Sequence, residues 1–281
     1  MNHGTITEQT MRAYEKHLQL EEKSTATIQK YIRDVNAFRS FIGGEKISKE
    51  SVIRFKQYLL QSGYAPRSVN SMLASLNSLF YFLGWHECRV RMIRLQNQIY
   101  CPEEKELSRA EYARLCAAAK EARNNRLWLI LQTICSTGIR VSELTFITVE
   151  AVKRGEAAVS CKAKTRRVFL VSELRKKLLR FAAEQKITTG LIFVTRTGKP
   201  VSRTNIWREM KALCARAAVD PRKVFPHNLR HLFARVFYSM EKDLAKLADI
   251  LGHSSIDTTR IYIVSTGLEH RRKLEQMRLL V

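Results

Sequence analysis

Three short tracts of this 281-residue chain gather side chains that can hold an anion or move a proton. Thr137-Gly138-Ile139-Arg140-Val141-Ser142-Glu143-Leu144 reads as a glycine turn feeding a helix, which fixes Arg140 near a helix start where backbone N–H groups favour an anion. Alone, such an arginine is better explained as a surface residue or as a partner for Glu143. Pro226-His227-Asn228-Leu229-Arg230-His231 places two histidines and an arginine within two helical turns, so that His227, Arg230 and His231 share a face. The i,i+4 histidines suggest zinc, but the metalloprotease pattern needs Glu directly after the first His, and Asn228 stands there. His231 also suits a core position, because Leu232, Phe233, Val236 and Phe237 make the same helix largely apolar. The third tract runs from Leu251-Gly252-His253 to Tyr262, nine residues after that histidine, with a helix stop at Gly252 and a Ser254/Asp257 capping pattern between them. A lone tyrosine in such a setting is ordinarily half-buried packing; its company is what gives it interest.

The substrate these tracts would serve is indicated by charge. Forty-nine Lys+Arg against 26 Asp+Glu leave a formal charge of +23, far beyond what solubility needs, and such a field attracts polyanions. The excess is uneven: residues 1–106 carry a net +4 and residues 107–281 a net +19, so the second part is expected to hold most of a phosphate grip. An anionic membrane surface would call for a lipid anchor or a basic cluster beside an apolar span, and the sequence offers neither. The longest apolar runs, such as Leu127–Leu131, fall far short of the roughly 20 residues that cross a bilayer. The first residues lack the pattern of a secretory signal, and the expectation is a cytoplasmic protein. Six scattered cysteines form no C-x-x-C pair, which argues for reduced packing residues over a disulfide framework or zinc module.

The elements that must position these tracts are mostly helical. A helix is expected around Gln9–Leu20. Between Ser24 and Gly43, Ile28, Tyr31, Ile32, Val35, Phe38, Phe41 and Ile42 recur at helical spacing, with Ser24 able to cap the start. Ser48 caps a stretch burying Val52, Phe55 and Leu59, and Pro66 opens another burying Val69, Leu73, Leu76 and Phe80 up to Gly84. Residues 1–95 therefore read as a four-helix unit, 96–106 as a linker that gains Pro and acidic residues, and 107–281 as a second domain. That domain opens with a Ser108/Glu111 capping box and continues with a more apolar helix over Arg123–Ser136. Alternating Val159/Cys161 and Val168/Leu170 flank a polar Lys162–Arg167 tip, and Leu191–Thr195 adds a further β-like run. The predicted fold class is mainly α with a small β-sheet.

Taken in order, the tracts resemble the tyrosine site-specific recombinases, or lambda-type integrases. Members carry a Thr-Gly-x-Arg-x-x-Glu-Leu box, a His-x-x-Arg-His box, a Leu-Gly-His box and a tyrosine nine residues on; here these are Arg140, then His227/Arg230/His231, then His253, then Tyr262. The chain is Xer-like in size, with no extra arm-binding domain. The resemblance implies a SAM-like core-binding domain at residues 1–95 and a catalytic domain at 107–281 ending in an exchange helix. It also implies a lysine on a β-hairpin, usually within Gly-Lys-Gly-x-Lys. Cys161-Lys162-Ala163-Lys164 stands there, with Cys161 and Ala163 in place of the glycines, so that Lys162 is favoured by position and Lys164 is the other candidate.

These residue types suit phosphoryl transfer. A phosphodiester gains charge in its pentacoordinate transition state, and Arg140 and Arg230 are planar, permanently charged donors for its non-bridging oxygens. The resemblance implies Tyr262 as the nucleophile and Lys162 as the acid that protonates the leaving 5′-oxygen; His227 would be the base that frees the tyrosine oxygen and His253 a donor to the phosphate. Glu143 and His231 would order the site. No metal or other cofactor is needed in this scheme, because the cations stabilise the developing charge. The implied partner is double-stranded DNA with paired core sites, bound by a homo-tetramer or by a hetero-tetramer with a related recombinase. A C-terminal helix over Ser265–Val281 would dock on a neighbouring subunit or pack on its own domain. Two rivals share the features: a type IB topoisomerase-like enzyme, which would relax DNA without recombining it, and a catalytically silent DNA-binding regulator, against which stands the presence of every catalytic position.

Overall fold

The computed structural model describes residues 4–95, 106–161, 164–253, 255–262 and 275–277, the side chains of Cys161 and Lys164 excepted. The chain divides into two compact units, residues 1–97 and 98–281.

The first unit is four helices: α1 (Glu8–Leu20), α2 (Thr25–Ile42), α3 (Lys49–Gln61) and α4 (Pro66–Phe82). Their starts follow the capping chemistry read from the sequence. The Ser24 hydroxyl accepts from the Thr27 N–H, Ser48 and Ser51 cap one another reciprocally, and Pro66 takes the first helical position, where its missing N–H costs nothing. Gly43 ends α2 in the left-handed conformation. The apolar faces meet in one core in which Phe38, Phe55 and Phe80 pack edge to face, with Val35, Leu73 and Leu76 closed from solvent around them. Each fully buried side chain of this size contributes about 1.5–3 kcal/mol before entropy is charged against it.

In the second unit α5 (Arg109–Glu121) opens on the Ser108/Glu111 capping box and α6 (Asn125–Thr137) follows. A six-residue 3₁₀ turn over Val141–Phe146 and the short α7 (Val149–Arg154) lead into an antiparallel hairpin, β1 (Glu156–Cys161) against β2 (Lys164–Phe169), in which Ala158 faces Arg167 and Val159 faces Arg166. Then come α8 (Ser172–Glu184), α9 (Arg203–Ala212), the one-turn α10 (Cys214–Ala217), α11 (Pro226–Glu241), α12 (Leu244–Leu251) and α13 (Ile256–Arg260). The small sheet is this hairpin alone among the described residues. The strand expected at Leu191–Thr195 does not form: Leu191 and Val194 make only single bridges, to Thr148 and Pro200. With Gly190 before it and Gly198 beyond it, both at positive φ, the run turns too soon to build a ladder, and Ile192 and Phe193 serve as core residues of a loop. The expected linker lies, but for Glu106, outside the described residues.

Candidate active site

α6 runs through the core of the second unit, its Leu127, Ile130, Leu131 and Ile134 buried, and α11 packs along it. At the end of α6, Gly138 turns left-handed and delivers Ile139 to the core and Arg140 to the start of the 3₁₀ turn. Opposite, Pro226 begins α11, whose first two turns carry His227, Arg230 and His231. α12 stops at Gly252 and hands the chain to His253; α13 then brings Tyr262 back. Tyr262 joins Ala234, Leu247 and Leu251 in a small apolar cluster of its own, so packing fixes the ring. The expected Ser254/Asp257 cap is replaced by Ser255, which accepts from the Asp257 N–H; Ser254 lies outside the described residues.

Five of the six predicted catalytic residues meet here. The Tyr262 hydroxyl lies 3.3 Å from His227 Nε2. The Tyr262 ring stacks on His231 at 4.1 Å between centroids, and His253 flanks it at 5.1 Å. Arg230 is 1% exposed, the most enclosed charge in the unit among the described residues. Its Nη1 donates to the Gly138 carbonyl at 2.6 Å and its Nη2 to the Leu251 carbonyl at 2.7 Å, which ties the ends of α6 and α12 to α11. The same Nη2 lies 2.9 Å from His253 Nε2. Because a guanidinium can only donate, that ring nitrogen must accept, and the proton of neutral His253 resides on Nδ1, which donates to Thr259 Oγ1 at 2.8 Å. Arg140 is anchored through Glu143, whose Oε1 accepts from the Arg140 guanidinium at 2.9 Å and whose Oε2 accepts from its backbone N–H at 2.7 Å. Lys162 lies outside the described residues.

The electrostatics follow from burial and an excess of cations. Burial, then the charges of His227, Arg235 and Arg230, pushes His231 down to about 3. His253 is pushed down to about 4 by burial and by Arg230, Arg140 and Arg166. His227 is lowered by the same two causes, desolvation at its packed edge first and Arg230, Arg140 and Arg203 second, although much of its side chain faces solvent. His231 and His253 are therefore neutral near pH 7, and a neutral His227 protonated on Nδ1 would offer its Nε2 lone pair to the tyrosine hydroxyl. Arg230 falls to about 10 through burial and the nearby Arg140, and stays charged. Glu143 is held below the usual carboxylate range: burial raises it, but hydrogen bonds from Arg166 and Arg140 outweigh that. Among the described residues no group of three His, Cys, Asp or Glu side chains is arranged to hold a metal.

Two residues of the site were not singled out from sequence. Thr259, fully buried, sets the tautomer of His253, and only its position between that histidine and Tyr262 could have marked it. Arg166 on β2 grips Glu143, and its alternation with Val168 on a short strand gave no hint that it points at another tract.

Comparison with known proteins identifies the family. Residues 105–267 match the phage integrase family, and residues 11–87 match the phage integrase N-terminal SAM-like domain. The chain belongs to the phage integrase family. Its relatives include the tyrosine recombinase XerA of Thermococcus kodakarensis, 29% identical over 95% of this chain and 94% of that protein, and XerD of Listeria monocytogenes, 25% identical over 87% and 90%. Among solved structures, a lambda integrase dimer bound to a core site aligns at a TM-score of 0.74 with 16% identity, covering 92% of this chain and 95% of that one. A XerA recombinase aligns at 0.55 with 24% identity, covering 97% and 99%. The fold is thus that of the tyrosine recombinases, a SAM-like helical domain followed by the integrase catalytic domain, and membership makes this chain an enzyme that cleaves and rejoins DNA at specific sites. No helix among the described residues is long and apolar enough to cross a membrane.

Proposed function

We propose that Tyr262 is the nucleophile of this recombinase, and that it forms a 3′-phosphotyrosyl intermediate with DNA. The observation that carries the reading is the placement of its hydroxyl 3.3 Å from His227 Nε2, beside the buried Arg230. His227 takes the phenolic proton as the Tyr262 oxygen bonds to phosphorus. The bond from phosphorus to the 5′-oxygen breaks, and Lys162 supplies the proton to that leaving oxygen. Arg140 and Arg230 hold the non-bridging oxygens; the buried Nε of Arg230, which has no partner among the described residues, suits one of them. His253 donates to the phosphate once Nε2 carries a proton, which requires that nitrogen to give up the bond it accepts from Arg230. Another 5′-hydroxyl reverses the sequence with no external energy source, because the phosphotyrosyl bond conserves that of the broken diester.

In this reading residues 1–95 form a core-binding domain, 96–106 a linker and 107–281 the catalytic domain. Four copies act on two paired core sites through a Holliday junction, in the cytoplasm, and the C-terminal segment, largely outside the described residues, docks on a neighbouring subunit. The net +19 of residues 107–281 supports DNA as the partner, as does the XerH recombinase bound to its own substrate among the structural neighbours. A nicked suicide duplex carrying a core site, incubated in EDTA with wild type and with Tyr262→Phe and run on a denaturing gel, tests it. A covalent adduct with wild type only is expected. An adduct that persists in Tyr262→Phe removes the tyrosine from its role.

A further inference from the structure

We propose that Arg166 is a positioning residue for strand cleavage, holding Glu143 by both carboxylate oxygens and so leaving the charge of Arg140 to the scissile phosphate. The inference rests on the reading of Arg140 as a phosphate-binding group.

Glu143 is 3% exposed at its side chain and receives four donors. Arg166 Nη1 and Arg140 Nη1 meet Oε1 at 3.1 and 2.9 Å; Arg166 Nη2 and the Arg140 N–H meet Oε2, each at 2.7 Å. Those four fill the carboxylate's lone-pair positions. The charge balance is what gives Arg166 its consequence. One carboxylate with one guanidinium is a neutral pair and offers an incoming phosphate little; one carboxylate with two guanidiniums keeps a net positive charge. The two cations differ in access. Arg166 is 14% exposed and lies flat on the carboxylate as a two-bond fork, whereas Arg140 is 34% exposed and makes a single side-chain bond to it. Arg166 is therefore the fixed counter-ion and Arg140 the one able to turn outward.

Arg166 also reaches the other side of the site. Its Nε donates to the Ile250 carbonyl at 3.1 Å, near the end of α12, from which His253 follows. A Cβ on Gly252 would lie 2.8 Å from Arg166 Cδ, so the glycine, already at φ +66°, is what lets the arginine pass beneath that helix end. One side chain of β2 thus links the Arg140 turn with the His253 turn.

The test is single-turnover cleavage of the suicide duplex at saturating DNA by the full chain, with duplex affinity and thermal unfolding measured alongside. Removing a residue that orients a chemical group typically costs about 10- to 100-fold, and Arg166→Ala is expected to slow cleavage on that scale. Arg166→Lys, which keeps the charge without the fork, falls between. The discriminating variant is Arg166→Ala with Glu143→Gln: neutralising the abandoned carboxylate returns several-fold of the lost rate although further contacts are gone. A purely structural role would make that double variant slower still. Cleavage by Arg166→Ala within twofold of wild type, or no recovery on adding Glu143→Gln, overturns the inference while Arg140→Ala remains inactive. Wild-type cleavage by Arg140→Ala instead would overturn the Arg140 reading and this inference with it.

Discussion

Gly138→Ala is the substitution whose effect the structure specifies most fully. Gly138 ends α6 at φ +66°, a conformation that costs an L-residue about 1–2 kcal/mol. The added carbon would lie 2.6 Å from Phe233 Cε1, closer still to Cδ1, and 3.0 Å from Leu251 Cδ2. Overlap of that kind in packed surroundings adds about 1–3 kcal/mol, so the whole effect is about 2–5 kcal/mol of destabilisation. It reaches catalysis as well. The Gly138 carbonyl receives Arg230 Nη1, and Phe233 and Leu251 belong to the cluster that seats Tyr262. Urea unfolding of the full chain in a Trp85→Phe background, followed through Trp128 and Trp207 of the second unit, measures the loss. Adding Phe233→Ala, which removes both the δ and ε carbons, should relieve that overlap and leave the backbone cost and the Leu251 contact, a coupling of about 1–2 kcal/mol in a double-mutant cycle. A loss below about 0.5 kcal/mol for Gly138→Ala, or strict additivity with Phe233→Ala, refutes the steric reasoning.

Thr259→Val keeps the shape but leaves the His253 Nδ1–H without its acceptor; cleavage should fall about 10- to 100-fold while duplex affinity holds, as gel shift and single-turnover rates will report. Acid should weaken the second unit. His231 and His253 have folded values near 3 and 4, below the unfolded value of about 6.5, so the unfolded chain binds more protons between those limits; the stability they contribute is complete above about pH 6.5 and is lost as pH falls below it. Discounted for partial exposure, the loss from pH 7 to pH 5 is about 1–3 kcal/mol, and an unchanged urea midpoint would contradict it. Duplex affinity should drop at least about tenfold between 50 and 200 mM salt, and a flat response would argue against a phosphate-dominated grip.

What the sequence made legible, and what it did not, divides by the range of the interaction. The helix starts at Ser24, Ser48, Pro66 and Ser108 and the stops at Gly43 and Gly252 were readable because capping is settled within four residues. The boxes around Arg140, His227–His231, His253 and Tyr262 were readable as types and spacing. Their convergence was not: it depends on Arg230 bridging the carbonyls of Gly138 and Leu251, residues 92 and 21 positions away. Arg166 escaped for the same reason, since its partner Glu143 lies 23 residues back and periodicity along β2 carries no sign of it. Leu191–Thr195 misled because a short apolar run satisfies a buried loop as well as a strand.

Two of the cations that depress His227, Arg230 and Arg140, are the ones assigned to the phosphate, and this makes the state of His227 depend on substrate. In the free protein its affinity for a proton is reduced first by desolvation and then by Arg230, Arg140 and Arg203. A phosphodiester between Arg140 and Arg230 brings a compensating negative charge, so the electrostatic part of the depression is relieved and the imidazole becomes more basic when there is a phosphate to attack. The neutral base thus gains strength on binding and stays neutral at pH 7 only while its value remains near or below that pH. Cleavage rates at limiting DNA report the free enzyme and those at saturating DNA the complex. The acid limb should accordingly lie at higher pH in the saturated series, and His227→Gln should remove it from both while slowing cleavage about 10²- to 10⁴-fold. Coincident limbs in the two series would show that the guanidiniums keep their influence on His227 after the phosphate arrives, and would place the bound diester away from Arg140 and Arg230.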